Sequence, residues 1–569
     1  MNKESLSSAA LRANGPDAFD RAFVLPLLGL VAVLFIRCWH GLDVTDEMQY
    51  YGQILALVES GRLFSTDLFV QQLVYLPFYP FFKAHHLLFG EVGLVLFGRL
   101  ALSLLLLALY VGARKALLSL GASRWLAGLA AFTVTFAVPF HGIFALSYNT
   151  VSQAGWVLFI LWCMAPRAVP AWRWIALLVF VGFAHPVAAI AMVAVLLVWL
   201  PKQPEPIEWR HWMVAALCGS VFSVCLLFGF TSWSDLSRAL VFSGGFGAGG
   251  GALFSDKMAL GSILVYALVM LSLCWAVPRM PRRWGWIAGI PLILFMLWVG
   301  RRLVRETWSY GYTVPIAQFA GLIAIGCMVL ACLRPAASAA GLRALILVSL
   351  VHFLVLVGTS SNGLAQGLGA LMVLIPLACA LVSPQEEAGR PWMAITCSVL
   401  VLLLASIHWS KAPYRDWPWY RLNRSFDDVA AFRYLKVSSP NFDLLDSYRQ
   451  AVGFALAGRQ ALIASERPGL YFALRAHPQT CMLYMHSAGG SVSAQALSSC
   501  LDERRPEVIL EIGGQGEQVM SPLQHIIRAQ IERLRMTCRQ GRLTDHWIHA
   551  MHGAPDVRYQ LCILQERAE

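Results

Sequence analysis

Carboxylate, amide and phenol side chains gather in the segment that directly follows the first long apolar stretch of the chain. If this segment is helical from about residue 45, spacings of three and four residues place a set of them on one face. The set is Asp46, Gln49, Tyr50 and Gln53, with Asp43 just upstream on the same side. A carboxylate in such a setting can take a proton from an attacking hydroxyl, which is general-base chemistry. Asp46 is therefore the first candidate for a catalytic residue.

A structural interpretation of the same acids stays open. Asp46 followed by Gln49 resembles a capping box, and acids are favoured at a helix N-terminus in any case. Glu47 lies about 100° around the helix from Asp46, so the two carboxylates cannot act on the same atom. From this segment alone, capping is the stronger interpretation and catalysis is the alternative.

A second group of candidates is cationic. Residues 301–312 read RRLVRETWSYGY and carry Arg301, Arg302 and Arg305, and Arg99 lies within an apolar stretch. A charge at that depth usually faces a cavity or a partner. Because guanidinium groups bind phosphate through two parallel hydrogen bonds, these side chains predict a clamp for an anionic headgroup. The alternative is that residues 301–312 are an interfacial anchor, or lie on the other side of the membrane.

Polar groups suited to a sugar occur in residues 358–369, which read GTSSNGLAQGLG and include Asn362 and Gln366. A solvated turn explains them equally well. Three histidines near the C-terminus, His546, His549 and His552, have no cysteine or acid at an obvious metal-site spacing. We therefore expect no required cofactor and leave a divalent metal open.

The elements that position these groups belong to a membrane protein. Hydrophobic residues make up 58% of the 569 residues, charged residues only 13%, and the mean hydropathy is +0.61. A soluble globular protein has about 25% charged residues, so soluble enzymes, disordered chains and fibrous proteins are excluded. The net charge of +12 comes from short Lys/Arg clusters between apolar stretches. Such clusters are typical of orientation signals and not of a nucleic-acid-binding face.

Apolar stretches recur along residues 22–408 and predict a polytopic α-helical domain with about 13 transmembrane helices. The first, residues 22–38, lacks a cleavage site and is interpreted as a retained span. Residues 174–200 count as two spans, because His185-Pro186 interrupts them and both flanks carry arginines of the cytoplasmic type. The others lie near residues 92–111, 125–140, 150–164, 212–230, 259–277, 285–299, 314–333, 345–358, 369–382 and 393–407.

Lys and Arg in the short loops also predict sidedness. They place the N-terminal tail, residues 1–21, in the cytoplasm, and an odd number of spans then places residues 409–569 outside. The external loop 41–90 is long, and its aromatic second half predicts interfacial helices at the membrane surface. We expect a multi-pass protein of a bacterial inner (plasma) membrane.

Residues 409–569 are polar and predict a small extracytoplasmic α/β domain. Strands are predicted at 480–485, 507–512 and 557–565, and helices at 491–501 and 523–539. The domain holds four cysteines, which allow three pairings. Because an external location permits disulfides, we prefer Cys481–Cys500 with Cys538–Cys562.

The motif Asp46-Glu47-x-x-Tyr50, directly after the first span, resembles that of the GT-C glycosyltransferases. These membrane enzymes include the lipid A aminoarabinose transferases and the protein O-mannosyltransferases. The long external loop, the number of spans and the external C-terminal domain resemble the same superfamily. The architectural likeness covers most of the chain, whereas the residue match is confined to this motif. The resemblance makes catalysis the leading interpretation of Asp46.

The resemblance implies an inverting sugar transfer. In this superfamily the donor is a polyprenyl-phosphate sugar, and an acid in the first external loop acts on the acceptor. Here that implies Asp46 as general base, with Glu47 beside it. The implied acceptor is a lipid, a glycan or a protein, and membrane lipids are the other expected partners. Arginines would stabilise the departing phosphate, so that no metal is required.

The chain also departs from the superfamily. Members similar to the aminoarabinose enzyme have a Lys-Pro-Pro segment that contacts donor phosphate, whereas residues 71–77 here read QQLVYLP, with Lys83 nearby. Many members have a second acid between the third and fourth spans, where this chain has His141, Tyr148 and Asn149. The implied phosphate-binding set is Arg99, Arg301, Arg302, Arg305 and Lys83. The implied substrate-contacting set is Asp43, Tyr50, His141, Tyr148, Asn149, Asn362 and Gln366.

Two other classes of function compete with this one. A lipid-linked-sugar flippase or other transporter should have paired ionisable residues deep in several spans, and broken helices in repeated halves. Here only residues 174–200 are clearly broken. An envelope polysaccharide polymerase or ligase should carry its signature loop late in the chain. The sequence favours the glycosyltransferase over both.

Overall fold

The computed structural model describes residues 21–120, 122–139, 143–164, 169–200, 208–244, 348–356, 416–417, 419–483, 485, 494–513, 522–544 and 556–564. The described residues before 244 are mostly helical, and those after 416 form a mixed α/β domain. The helices of the first part are α1 Arg21–Trp39, α2 Asp46–Ser60, α3 Tyr79–Phe89, α4 Leu94–Ser119, α5 Arg124–Ala137, α6 Tyr148–Met164, α7 Ala171–Ala184, α8 Pro186–Trp199, α9 Trp209–Phe228 and α10 Trp233–Gly244. A 3-10 helix, Val70–Phe78, precedes α3.

The predicted apolar spans up to residue 230 coincide with α1 and with α4 to α9. Among the described residues, α4 and α9 are long and apolar enough to cross a membrane, and α5, α7, α8 and most of α1 are apolar but shorter. The predicted interruption of residues 174–200 is present, because α7 ends and α8 begins at His185. The histidine ring accepts the N–H of Ala188 (3.2 Å) and so caps α8. Of the predicted spans beyond residue 244, only 348–356 falls within the described part.

The loop 41–90, which was predicted to be external, contains a buried helix and a helix with an exposed apolar face. α2 begins at Asp46, and most of its side chains are buried. α3 carries the aromatic half of the loop and leaves Phe81, Leu87, Leu88 and Phe89 exposed. An apolar exposed face of this kind is expected of a helix that lies at a membrane surface.

The tail domain, residues 416–564, is built on a five-stranded sheet with the strand order β4-β3-β5-β7-β6. The strands are β3 Gln460–Ala464, β4 His477–Pro478, β5 Val508–Gly513, β6 Thr537–Thr544 and β7 Asp556–Ile563, and a separate small pair joins β1 Arg424–Ser425 to β2 Lys436–Val437. β3 is parallel to β4 and β5, whereas β7 is antiparallel to β5 and β6. The helices are α11 Ser439–Leu456, α12 Gly469–Ala473, α13 Ala494–Asp502 and α14 Pro522–Leu534.

Two predicted elements of the tail domain need correction. β5, β7 and α13 agree with the prediction, but residues 480–483 form no strand, since they contact the loop 41–90 instead. The predicted helix 523–539 ends at Leu534, and the following residues form the edge strand β6. Its sequence, TCRQGRLT, lacks the apolar alternation by which strands are recognised.

Both predicted disulfides are confirmed. Cys481–Cys500 ties the segment after β4 to α13. Cys538–Cys562 ties β6 to β7 at the opposite edge of the sheet. The two bonds therefore hold different edges of one domain.

Candidate active site in the first external loop

The N-terminus of α2 is capped by Asp43. One carboxylate oxygen of Asp43 accepts the N–H of Thr45 (3.0 Å) and the hydroxyl of the same residue, and the other accepts the N–H of Glu47 (2.9 Å). The side chain is buried by these contacts, so it is not available to bind substrate as expected. Gln49, the partner that a capping box requires, binds elsewhere in the loop. The cap is thus supplied by Asp43, and the capping interpretation of Asp46 is revised.

Glu47 and Arg99 form a closed ion pair that joins α1, α2 and α4. Nε and one terminal nitrogen of Arg99 donate to the two carboxylate oxygens of Glu47 at 2.8 and 2.7 Å, and neither side chain is more than 2% exposed. The arginine also donates to the carbonyls of Cys38 (3.1 Å) and Gly41 (2.7 Å). Carbonyls at the end of a helix have no partner inside it. Arg99 therefore caps α1 while it pairs with α2.

This pair revises the roles that were expected of both residues. A phosphate ligand needs a free N–H, whereas every guanidinium nitrogen of Arg99 already donates to the protein. A catalytic base needs access to substrate, whereas Glu47 is buried against the arginine. Gly98 allows α2 and α4 to approach beside this pair, since a Cβ there would overlap the ring of Tyr51. We therefore assign Glu47 and Arg99 as positioning residues.

Asp46 is the acid of this cluster that stays free. It is half-buried in the first turn of α2 and has no hydrogen bond or ion pair within the described ranges. Its charge acts on both Tyr50 and Tyr148, whose rings meet edge to face at 6.4 Å. Burial raises the pKa of Tyr50 well above its ordinary value, and the charges of Tyr148 and Asp46 add to this. A free carboxylate beside a neutral phenol can accept a proton from a bound hydroxyl.

Asp67 is a buried acid that the sequence analysis missed. Its Oδ2 accepts from the amides of Gln49 (3.2 Å) and Gln53 (2.9 Å), and its Oδ1 accepts the N–H of Phe69 (3.1 Å). Burial raises the pKa of Asp67, and these hydrogen bonds oppose the rise. Because both glutamines lie on the face of α2 that also carries Asp46, Asp67 fixes the rotation of that face. The signal in the sequence was a lone acid within the segment FSTDLF.

The tail domain holds the residues that immediately precede α2. The N–H of Leu42 donates to Asp416 (2.8 Å), and the carbonyl of Leu42 accepts from the amide of Asn441 (3.0 Å). The N–H of Gly469 donates to the carbonyl of Val44 (2.9 Å). A Cβ at position 469 would lie 3.0 Å from that carbonyl oxygen, so the close approach requires glycine. The helical part of the chain thus supplies α2, and the tail domain holds the residues in front of it.

Asp416 makes this docking dependent on pH. Burial raises its pKa to about 6, against hydrogen bonds from Ser438, Trp417 and Leu42. The unfolded value is about 3.9. Because the folded-state pKa is the higher one, the stability gained on protonation is present below about pH 4 and is lost as the pH rises through about 6.

We expect Asp416→Asn to remove this dependence of folding stability on pH. The difference in Tm between variant and wild type should move in favour of the variant between about pH 4 and pH 7, since Asn does not titrate. Thermal unfolding of the purified protein at several pH values measures this difference. Asp427→Asn, at an exposed acid of the same domain, is the control and should run parallel to the wild type. A parallel curve for Asp416→Asn as well would contradict the assignment.

The other predicted site residues fall into two groups. Lys83 donates to the carbonyl of Val58 near the end of α2 (2.6 Å), which commits one of its N–H groups away from any donor lipid. Asn149 follows Tyr148 in the first turn of α6. The predicted residues that lie outside the described part of the chain are His141, Arg301, Arg302, Arg305, Asn362 and Gln366. Within the described ranges, no three His, Cys, Asp or Glu side chains are grouped as metal ligands.

Comparisons with known proteins return little. No protein-family model and no curated protein matches the chain. Among solved structures, the chain is similar to the crystal structure of ArnT from Cupriavidus metallidurans bound to undecaprenyl phosphate, with a TM-score of 0.34 and 17% sequence identity over 94% of this chain and 97% of that chain. Because a TM-score of 0.34 is too low to establish a shared site, the interpretation of the first external loop rests on its own contacts.

Proposed function

We propose that this protein transfers a sugar from a polyprenyl-phosphate donor to an acceptor hydroxyl on the external side of the membrane, with inversion and with Asp46 as general base. The observation that carries the proposal is the contrast among the acids at the start of α2. Asp43 and Glu47 are buried and engaged by the protein, whereas Asp46 is accessible and has no partner among the described residues. Asp46 is thus the carboxylate at this position whose contacts with the described residues leave it able to meet a substrate.

The proposed step balances as a displacement at the anomeric carbon. The acceptor oxygen forms a bond to that carbon while the bond from the carbon to the lipid phosphate oxygen breaks. The proton of the hydroxyl passes to Asp46, and the electron pair leaves with the phosphate. Since Arg99 is committed to Glu47, the proposal assigns the phosphate to Arg301, Arg302 and Arg305. With arginines in that role, the reaction requires no metal.

A lipid-linked donor is supported by where this loop lies. α2 is joined to the apolar α4 by the Glu47–Arg99 pair, and α3 of the same loop has exposed Phe and Leu side chains that suit a membrane surface. A polyprenyl chain is apolar and would stay in the bilayer, while its phosphate would reach the polar loop. The acceptor is a lipid, a glycan or a protein that carries a hydroxyl.

The test is the release of lipid phosphate by the purified protein. Synthetic undecaprenyl-phosphate sugars with several head groups are supplied together with hydroxyl acceptors, and free undecaprenyl phosphate is measured by mass spectrometry. We expect release that depends on an acceptor. Movement of the intact donor across a vesicle bilayer, without release, would instead identify a flippase.

A further inference from the structure

The segment 480–483 of the tail domain lies directly against the loop that carries the candidate base. The carbonyl of Cys481 accepts the N–H of Leu68 (3.0 Å), and the N–H of Leu483 donates to Asp67. The side chain of Leu483 packs on α2 so closely that a Cβ at Gly52 would lie 2.9 Å from its Cδ1. The segment therefore touches α2 directly and also through Asp67.

A disulfide holds this segment in place. Cys481 is fully buried, and its bond to Cys500 anchors the segment to α13. α13 is fixed in turn by α14, since Gln530 donates to the carbonyl of Leu501 (2.9 Å) and Arg533 donates to that of Asp502 (2.9 Å). The disulfide does not reach the loop itself; it restrains the segment within the tail domain, and hydrogen bonds and apolar contacts then join the restrained segment to the loop.

We infer that residues 480–483, held by the Cys481–Cys500 disulfide, are a positioning element for Asp46. They act through Asp67, whose hydrogen bonds to Gln49 and Gln53 set the rotation of α2 about its axis. This inference rests on the proposed function for its effect on turnover, but not for its effect on the helix.

The geometry gives the size of the effect. A side-chain group lies about 6 Å from a helix axis, so a rotation of about 20° would move the Asp46 carboxylate by about 2 Å. A general base must stay within about 3 Å of the proton it accepts, and a displacement of about 1 Å can cost roughly a hundredfold in rate. A small loss of rotational restraint is therefore enough to lower turnover while the fold persists.

The second disulfide supplies a matched control. Cys538–Cys562 closes a loop of 24 residues, close to the 19 of Cys481–Cys500, so the two bonds should contribute similar stability on loop-entropy grounds. It joins β6 to β7, at the sheet edge opposite β4. The two pairs thus have similar loop lengths and differ in their contact with the loop 41–90, although Cys538 is exposed whereas Cys481 and Cys500 are buried.

The experiment compares two full-length double variants, Cys481→Ala with Cys500→Ala and Cys538→Ala with Cys562→Ala. Amide hydrogen exchange of residues 46–57 is measured first, and turnover of undecaprenyl-phosphate sugar second. We expect the first variant to exchange at least about tenfold faster in this helix. Its kcat should fall about tenfold to a hundredfold with a KM for donor within about twofold of wild type, whereas the second variant should match the wild type in both.

The outcomes separate the inference from the proposed function. Faster exchange in the first variant alone supports positioning even if no sugar is transferred, and in that case only the proposed function fails. Equal exchange and equal turnover in the two variants would overturn the positioning role. If the first variant does not fold, Leu483→Ala tests the same contact with the disulfide intact, and unchanged exchange of residues 46–57 in that variant would also overturn it.

Discussion

Asp46→Asn is expected to fold and to bind donor lipid, but to transfer sugar at least about a hundredfold more slowly than the wild type. An amide cannot accept the proton of the acceptor, and the loss of a general base typically costs 10²–10⁴-fold in rate. The cost in stability should stay below about 1 kcal/mol, because the helix cap is Asp43 and Asp46 contributes only a charge near the helix N-terminus. Turnover is measured by release of undecaprenyl phosphate, and stability by Tm.

The matched control for this variant is Glu59→Gln, the same change of carboxylate to amide near the other end of α2, at an exposed position. It should turn over at the wild-type rate. Near-normal turnover by Asp46→Asn would remove the catalytic role. None of the buried acids of the loop could then replace it without first leaving its partner.

Of the single substitutions predicted in this protein, Arg99→Met is expected to lower the free energy of unfolding most. The substitution keeps most of the apolar stem but leaves the Glu47 carboxylate buried without its partner, and it frees the carbonyls at the end of α1. Breaking a buried ion pair from one side costs about 3–5 kcal/mol. We expect a lower Tm and a lower yield of folded protein. Glu47→Gln in the same chain should restore part of the loss, because it removes the unpaired charge.

The control is Arg114→Met, the same substitution on the same helix, about four turns further along the chain and only half-buried. Its effect on Tm should be much smaller. The phosphate-ligand interpretation of Arg99 makes a different prediction, which is a wild-type Tm with weakened binding of undecaprenyl phosphate. That result would restore Arg99 to the donor site.

Features with a local signal were accessible from the sequence. The break at His185-Pro186 follows from the missing N–H of proline, and the helix in the first loop follows from its spacing of polar residues. The cysteine pairing needed only an oxidising location and a choice among three connectivities. The prediction missed strand β6 because its residues are polar on both faces, so that neither a strand period nor a helix period dominates in the sequence.

Long-range contacts had no local signal. Glu47 and Arg99 are 52 residues apart, and nothing in either segment indicates that each cancels the charge of the other. Taken singly, Glu47 lies beside the predicted base and Arg99 lies within a predicted span, and both positions suggest a catalytic or binding role. Only the short distance between the two side chains shows that they form a structural ion pair. Asp67, Asn441 and Gly469 were missed for the same reason, since each acts through a contact with a distant segment.

The contacts of Leu42 also set the order in which the protein can mature. This residue is made early, yet its hydrogen-bond partners follow 374 and 399 residues later in the chain. At about 5–20 residues per second, the ribosome needs roughly 20 to 80 seconds to reach them. During that interval the segment before α2 has its contact with Arg99 but lacks its contacts with the tail domain. Asp46 is therefore made long before the tail-domain residues that hold the segment in front of it. The candidate site can be complete only when synthesis of the chain is almost finished.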